Sequence, residues 1–166
     1  VPRPRSYAGV ANAVAPTYDV DSREMTALVA LLRERGTVID GTFNRVEGRG
    51  RPLPDGTDPV YGPTLAWLSP LMRRAHLPGV LPTARDSTLG QARNASYRRL
   101  LKRLFDGGVT LVAGTDDFAT DVPGLTYHGE LEVYQRAGIP AASVLQIATI
   151  VAARVLRHEG KLGVIA

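Results

Sequence analysis

The residue types best suited to chemistry gather late in the chain. Val109-Thr-Leu-Val-Ala-Gly-Thr-Asp116 is an apolar run that passes directly into a hydroxyl and a carboxylate. When a buried parallel strand of an α/β fold ends in polar side chains, those side chains lie at the carboxyl edge of the sheet, where ligands and metals are bound. Asp116 is thus the leading candidate for a functional carboxylate, with Thr115 beside it. The same Thr115-Asp116-Asp117 letters also suit an Asx turn or a helix cap. His128 follows in Tyr127-His128-Gly-Glu130-Leu-Glu132. Two residues apart on a presumed helix, Glu130 and Glu132 do not share a face and make no carboxylate pair. Near a helix start, Glu130 interacts favourably with the helix dipole.

Other chemistries are excluded by what the sequence lacks. Its three histidines, His76, His128 and His158, form no His-x-His pair, and there is no cysteine. Thiolate metal sites, disulfide frameworks and cysteine nucleophiles are therefore ruled out, and the redox compartment stays open. His76 and His158 stand in basic, polar surroundings and read as surface residues. There is no nucleophile elbow, phosphate loop or dinucleotide fingerprint; Gly107-Gly108 precedes a strand instead of following one.

Charge is divided unevenly. Residues 1–105 carry 16 Lys and Arg against 9 Asp and Glu, whereas residues 106–166 carry 4 against 7. Eighteen of the 20 basic residues are Arg, scattered and not in a run, so a nucleic-acid footprint is not expected. No window reaches the apolar length of a membrane span, and Val1-Pro-Arg-Pro-Arg-Ser6 does not read as a signal peptide. A cytoplasmic location is the favoured expectation. Beginning at Val and not Met fits a processed product or a fragment.

The elements that must position Asp116 can be read from caps and periodicity. Asp21-Ser-Arg-Glu24 starts a helix whose Met25, Leu28, Val29 and Leu32 fall on one apolar face, Gly36 stops it, and Thr37–Thr42 follows as a short strand. The same helix–glycine–strand unit recurs later. Ser87 caps a helix with Tyr97, Leu100, Leu101 and Leu104 in a stripe; Gly107-Gly108 ends it, and Val109–Ala113 is an unalternating strand. Consecutive αβ units predict a parallel sheet in an α/β fold. Thr42 and Asn44 then correspond in position to Thr115 and Asp116, all at one mouth. Residues 45–86 read as a loop-rich insertion dense in Gly, Pro and charge, with a short helix through Thr64–Arg74 and a connector at 77–86. A helix over Tyr127–Arg136 and another from Pro140 to Leu156, with Val144, Ile147, Ala148, Val151 and Val155 as its buried stripe, close the chain.

The order of Asp116, then His128-Gly-Glu130-Leu-Glu132, then Ala148-Thr149-Ile-Val-Ala-Ala153-Arg-Val-Leu156 resembles the closing section of the amidohydrolase superfamily, in its imidazolonepropionase and prolidase-like branch. The likeness is best over 106–166 and fair over 19–44. It implies a partial (β/α)8 TIM barrel: residues 1–166 as a single incomplete catalytic domain, with an αβ unit at 19–44, the insertion at 45–86, and the last strand with its closing helices at 87–166. A complete barrel needs about 250 residues, so the chain reads as roughly the last third to half of one.

In enzymes of that kind the carboxylate at the end of the eighth strand binds a divalent metal, usually zinc, and moves a proton between metal-bound water and leaving group. The resemblance thus implies that Asp116 is both catalytic residue and metal ligand, and that His128, Thr115 and Asn44 touch substrate or orient the surrounding loops. It further implies hydrolysis of C–N bonds in small amides, cyclic amides or dipeptides. A catalytic zinc usually has three protein ligands, and the family's His-x-His is missing here. The metal would therefore need ligands from the remainder of the barrel or another chain, and this chain alone would be inactive. The other reading is a non-catalytic α/β module that binds an acidic partner through its Arg-rich front.

Overall fold

A computed structural model describes residues 14–47, 62–75, 84–116, 122 and 124–165. The fold is mixed α/β, mostly helical, around a two-stranded parallel sheet. A 3-10 turn at Ala15–Thr17 leads to α1 (Arg23–Glu34), β1 (Val38–Asp40) and α2 (Phe43–Glu47). A second 3-10 turn (Gly62–Trp67) is followed by α3 (Pro70–Ala75), α4 (Ala84–Asp106) and β2 (Thr110–Val112). The chain closes with α5 (Leu125–Arg136), α6 (Ala141–Gln146), a π-turn segment (Ile147–Val151) and α7 (Ala152–Val155).

Both αβ units form, and they form by the same device. Ser22 caps α1 by accepting the Met25 N–H at 3.2 Å. At the other end Gly36 takes a left-handed φ of 61°, so the Thr37 N–H can turn back to the Leu32 carbonyl at 2.9 Å. Gly108, with φ 75°, does the same for α4: the Val109 N–H reaches the Leu104 carbonyl at 3.1 Å. This six-to-one closure redirects the backbone from helix into strand within two residues. The strands then pair in parallel, Val38 opposite Thr110, Ile39 opposite Leu111 and Asp40 opposite Val112.

The core lies on one face of this ribbon. Val29 of α1, Leu101 and Leu104 of α4, Leu111 of β2, Val133 and Tyr134 of α5, Ile139, Val144 and Ile147 form one buried cluster, with Ile39 and Phe43 packed against it. Burying a side chain of this kind contributes about 1.5–3 kcal/mol, so the sheet is held mainly by the helices behind it. Leu28, expected on the buried face of α1, is 45 % exposed; Val29, Met25 and Leu32 alone make that contact. Val155, expected in the last helical stripe, is also on the surface.

Three local differences from the sequence reading have physical causes. Residues 43–47, partly assigned to the loop, are helical because their first amides are capped from another element, as described below. The helix expected over 64–74 is instead a 3-10 turn and α3, separated at Ser69, whose hydroxyl accepts the Met72 N–H at 3.4 Å ahead of Pro70. Serine before proline is a helix-start signal. The last helix widens to π geometry over Ile147–Val151, a local departure that the apolar spacing does not encode. Much of the 45–86 insertion, with His76 and residues 77–83 of the connector, lies outside the described residues, as do Asp117 and Pro123; residues 84–86, expected in the connector, already belong to α4, so Ser87 lies within that helix and is not its cap.

Candidate functional site

The parallel register brings the ends of β1 and β2 to one edge. Beyond Asp40 the chain passes through Gly41 and Thr42 into α2; beyond Val112 it passes through Ala113 to Asp116. Both exits contain a residue with left-handed backbone, Thr42 at φ 44° and Asp116 at φ 50°. For a β-branched threonine this conformation is a genuine outlier, and such strain collects at functional positions. Asp116 is exposed at this edge and Thr115 is half-buried. His128 lies on the exposed side of α5.

Asn44 is placed differently from the other three. Its side chain is buried, 6 % exposed, and its amide donates to the Thr126 carbonyl of α5 at 3.5 Å. The carboxamide sits against Gly129: a Cβ there would lie 2.7 Å from Asn44 Oδ1 and 2.8 Å from its Cγ. Real Cβ atoms do not approach so closely, so this docking of α2 on α5 requires glycine at 129.

The residue that organises this edge is Glu130. Its side chain is completely buried, and its carboxyl accepts the Phe43 N–H at 3.0 Å through Oε1 and the Asn44 N–H at 2.5 Å through Oε2. It lies in the middle of α5, so the favourable dipole it meets belongs to α2 and not, as expected, to its own helix. Glu132, two residues on, is exposed, as the helical spacing requires. Burial pushes the Glu130 carboxyl up to about 7; the two amide donors oppose this, and the negative charges of Asp40 and Glu47 add to it.

Tyr134 ties the two strand ends together one turn further along α5. Its hydroxyl donates to the Val112 carbonyl at 2.7 Å, and the Gly41 N–H donates to it. Burial holds this phenol well above the ordinary tyrosine range, with the charges of Glu130 and Asp40 acting in the same direction. Tyr127 is raised likewise by burial, then by Asp40 and Glu130, and its hydroxyl donates to the Ala148 carbonyl at 3.2 Å. Beneath Glu130, buried Glu47 accepts Arg98 Nη1 at 2.6 Å and Arg136 Nη1 at 3.2 Å. Asn94 donates to the Glu47 carbonyl at 3.2 Å and accepts from Arg93.

Asp40 is a second exposed carboxylate at this edge, with its side chain lying over Gly114, where a Cβ would overlap it. Sequence reasoning passed over it, although Val38-Ile39-Asp40 repeats the pattern of an apolar run ending in a carboxylate that singled out Asp116. For Glu130 the signal was weaker, because its partners are 86 and 87 residues away.

The edge is negative, but the described residues contain no group of three or more His, Cys, Asp or Glu side chains placed to hold a metal ion. On their own they do not fit a zinc centre. A groove of about 600 Å³, lined by Val38, Phe105, Val109, Ile147, Val151 and Arg154 among others, opens towards the amino ends of the strands. Its lining does not include Asp116. Among the described residues no helix is long and apolar enough to cross a membrane. No family model, no curated protein and no solved structure matches the chain.

Proposed function

We propose that the chain is a segment of a larger metal-dependent hydrolase of the amidohydrolase type, acting on C–N bonds, to which it contributes the closing βα units of a TIM barrel and the carboxylate Asp116. The observation that carries this reading is the in-register parallel pair, β1 and β2, whose polar exits leave at one edge with Asp116 exposed and in a left-handed conformation. Among the described residues each strand pairs only with the other, and Val38, Asp40, Thr110 and Val112 are none of them fully buried. Because the described residues do not assemble a metal centre, further ligands come from the remainder of the barrel or from another chain, and the segment alone is inactive. The substrates are small amides, cyclic amides or dipeptides.

Arginine-mediated binding to an acidic partner has less support. Arg73, Arg93, Arg98, Arg99 and Arg103 all donate to groups within the chain. The test uses the complete protein: Asp116→Ala should abolish hydrolysis of such amides while leaving the fold intact by circular dichroism. Equal turnover by the two proteins would remove Asp116 from the chemistry. Elemental analysis of this chain after zinc loading and dialysis should find no retained metal, and stoichiometric zinc would show that outside ligands are not required.

A further inference from the structure

We infer that residues 41–44, by which the chain leaves β1, form a latch: one face of α5 holds this turn closed against the strain of its own backbone, and releasing that hold moves the strand edge. The inference does not depend on the proposed activity.

The strain is at Thr42. Its φ of 44° lies in the left-handed region, which disfavours a β-branched residue by about 5- to 150-fold in population. Among the described residues the Thr42 hydroxyl has no hydrogen-bond partner, so its own side chain does not offset this. The neighbours on either side fix the conformation. The Phe43 ring folds back over Gly41, where a Cβ would overlap it, and packs on Tyr97 and Tyr134 with ring centroids 6.3 and 6.2 Å away. A backbone state of this kind persists only when its surroundings over-determine it.

The hold comes from one side of α5. Residues 126, 130 and 134 are four apart and so lie one above another on that helix. The Tyr134 hydroxyl accepts the Gly41 N–H. The Glu130 carboxyl accepts the Phe43 N–H at 3.0 Å and the Asn44 N–H at 2.5 Å, and the Thr126 carbonyl accepts the Asn44 side-chain amide at 3.5 Å. Gly41, Phe43 and Asn44 are thus all tied to a single helix, and the residue between them is the strained one. Tyr134 also donates to the Val112 carbonyl, and the Asp40 side chain lies over Gly114. The same face of α5 therefore sets how the exits of β1 and β2 sit against each other. A shift of α5 that breaks these bonds lets Thr42 fall back to extended backbone, and Asp40 then leaves Gly114. Through this turn the position of α5 governs the edge that carries Asp40 and Asp116.

The experiment is hydrogen exchange of the Phe43 and Asn44 amides in the whole chain, corrected for intrinsic rates, with the ¹³Cα and ¹³Cβ shifts of Thr42 as a report on its backbone. In the wild type those shifts should be those of left-handed backbone. Thr42→Gly removes the strain, while glycine's freedom in the open turn returns about fivefold, so protection should rise by about 3- to 30-fold. Glu130→Gln turns one acceptor oxygen into an amide facing a backbone N–H. Protection should then fall by about tenfold, the Thr42 shifts should move towards extended values, and the Gly114 amide resonance should move with them. If Glu130→Gln does not fold, Tyr134→Phe frees the same turn at Gly41 and is read by the same shifts. Extended Thr42 shifts in the wild type, a rise of less than about twofold in Thr42→Gly, or Thr42 and Gly114 resonances indifferent to the α5 variant would overturn the latch.

Discussion

Gly129→Ala should reveal the slot between α5 and α2 through a change of sign. In an ordinary helix interior, replacing glycine by alanine stabilises by about 1 kcal/mol. At position 129 the new methyl would meet three Asn44 atoms at 2.7, 2.8 and 2.9 Å, all belonging to the carboxamide. Asn44 is 6 % exposed and hydrogen-bonded to Thr126, so it has little room to rotate away. Overpacking of this kind costs about 1–3 kcal/mol. The net effect in the wild-type background is then a loss of up to about 2 kcal/mol. Asn44→Ala removes every atom in that clash, and its own cost is about 1 kcal/mol, since the bond it gives up is long. In the Asn44→Ala background, Gly129→Ala should therefore stabilise by about 1 kcal/mol, giving a coupling energy of about 1–3 kcal/mol. The assay is equilibrium urea unfolding of the four chains, read by far-ultraviolet circular dichroism. A coupling below about 0.5 kcal/mol, the level at which independent sites add, would refute the contact.

Other expectations concern the polar groups around this slot. Glu47→Gln should lower stability by about 1–2 kcal/mol, because Arg98 and Arg136 lose a charged partner while remaining partly exposed to water themselves. Arg98→Ala should cost more than Arg136→Ala, in line with separations of 2.6 and 3.2 Å, and thermal unfolding of the three variants would rank them. Tyr134→Phe keeps the packing but leaves the Val112 carbonyl and the Gly41 N–H without their shared partner, a loss of about 1–3 kcal/mol in chemical unfolding. An unchanged midpoint would show that water replaces the hydroxyl.

How much of this was legible from the letters varies with the range of the interaction. The helix–glycine–strand units could be read because caps, periodicity and left-handed glycines act within a few residues: Ser22, Gly36 and Gly108 do what their positions suggest. The parallel pairing of β1 with β2 also followed from repetition of the unit. Glu130 could not be read in this way. A glutamate in an amphipathic helix usually faces water, and only the folded arrangement shows two orphan amides from residues 43 and 44 delivered to it. Gly129 has the same history, since nothing local distinguishes a glycine that admits Asn44 from one that merely weakens a helix. The left-handed φ of Thr42 and Asp116 was similarly hidden, because residue type argues against it in threonine. Asp40 was legible and was missed.

The pairing of β1 with β2 bears on how the chain is made. The two strands start about 72 residues apart, at Val38 and Thr110, and each is the other's only partner among the described residues. At 5–20 residues per second, β1 leaves the ribosome roughly 4–14 seconds before the strand it pairs with. Closing a loop of that length costs about 4 kcal/mol. In the interval β1 and the amides that Glu130 later caps have only water as a hydrogen-bond partner. Newly synthesised chains pass through a stage in which an open strand edge is available to any neighbour. Slower synthesis would lengthen that stage, and a chaperone that binds short apolar strands would act on residues 38–40 first.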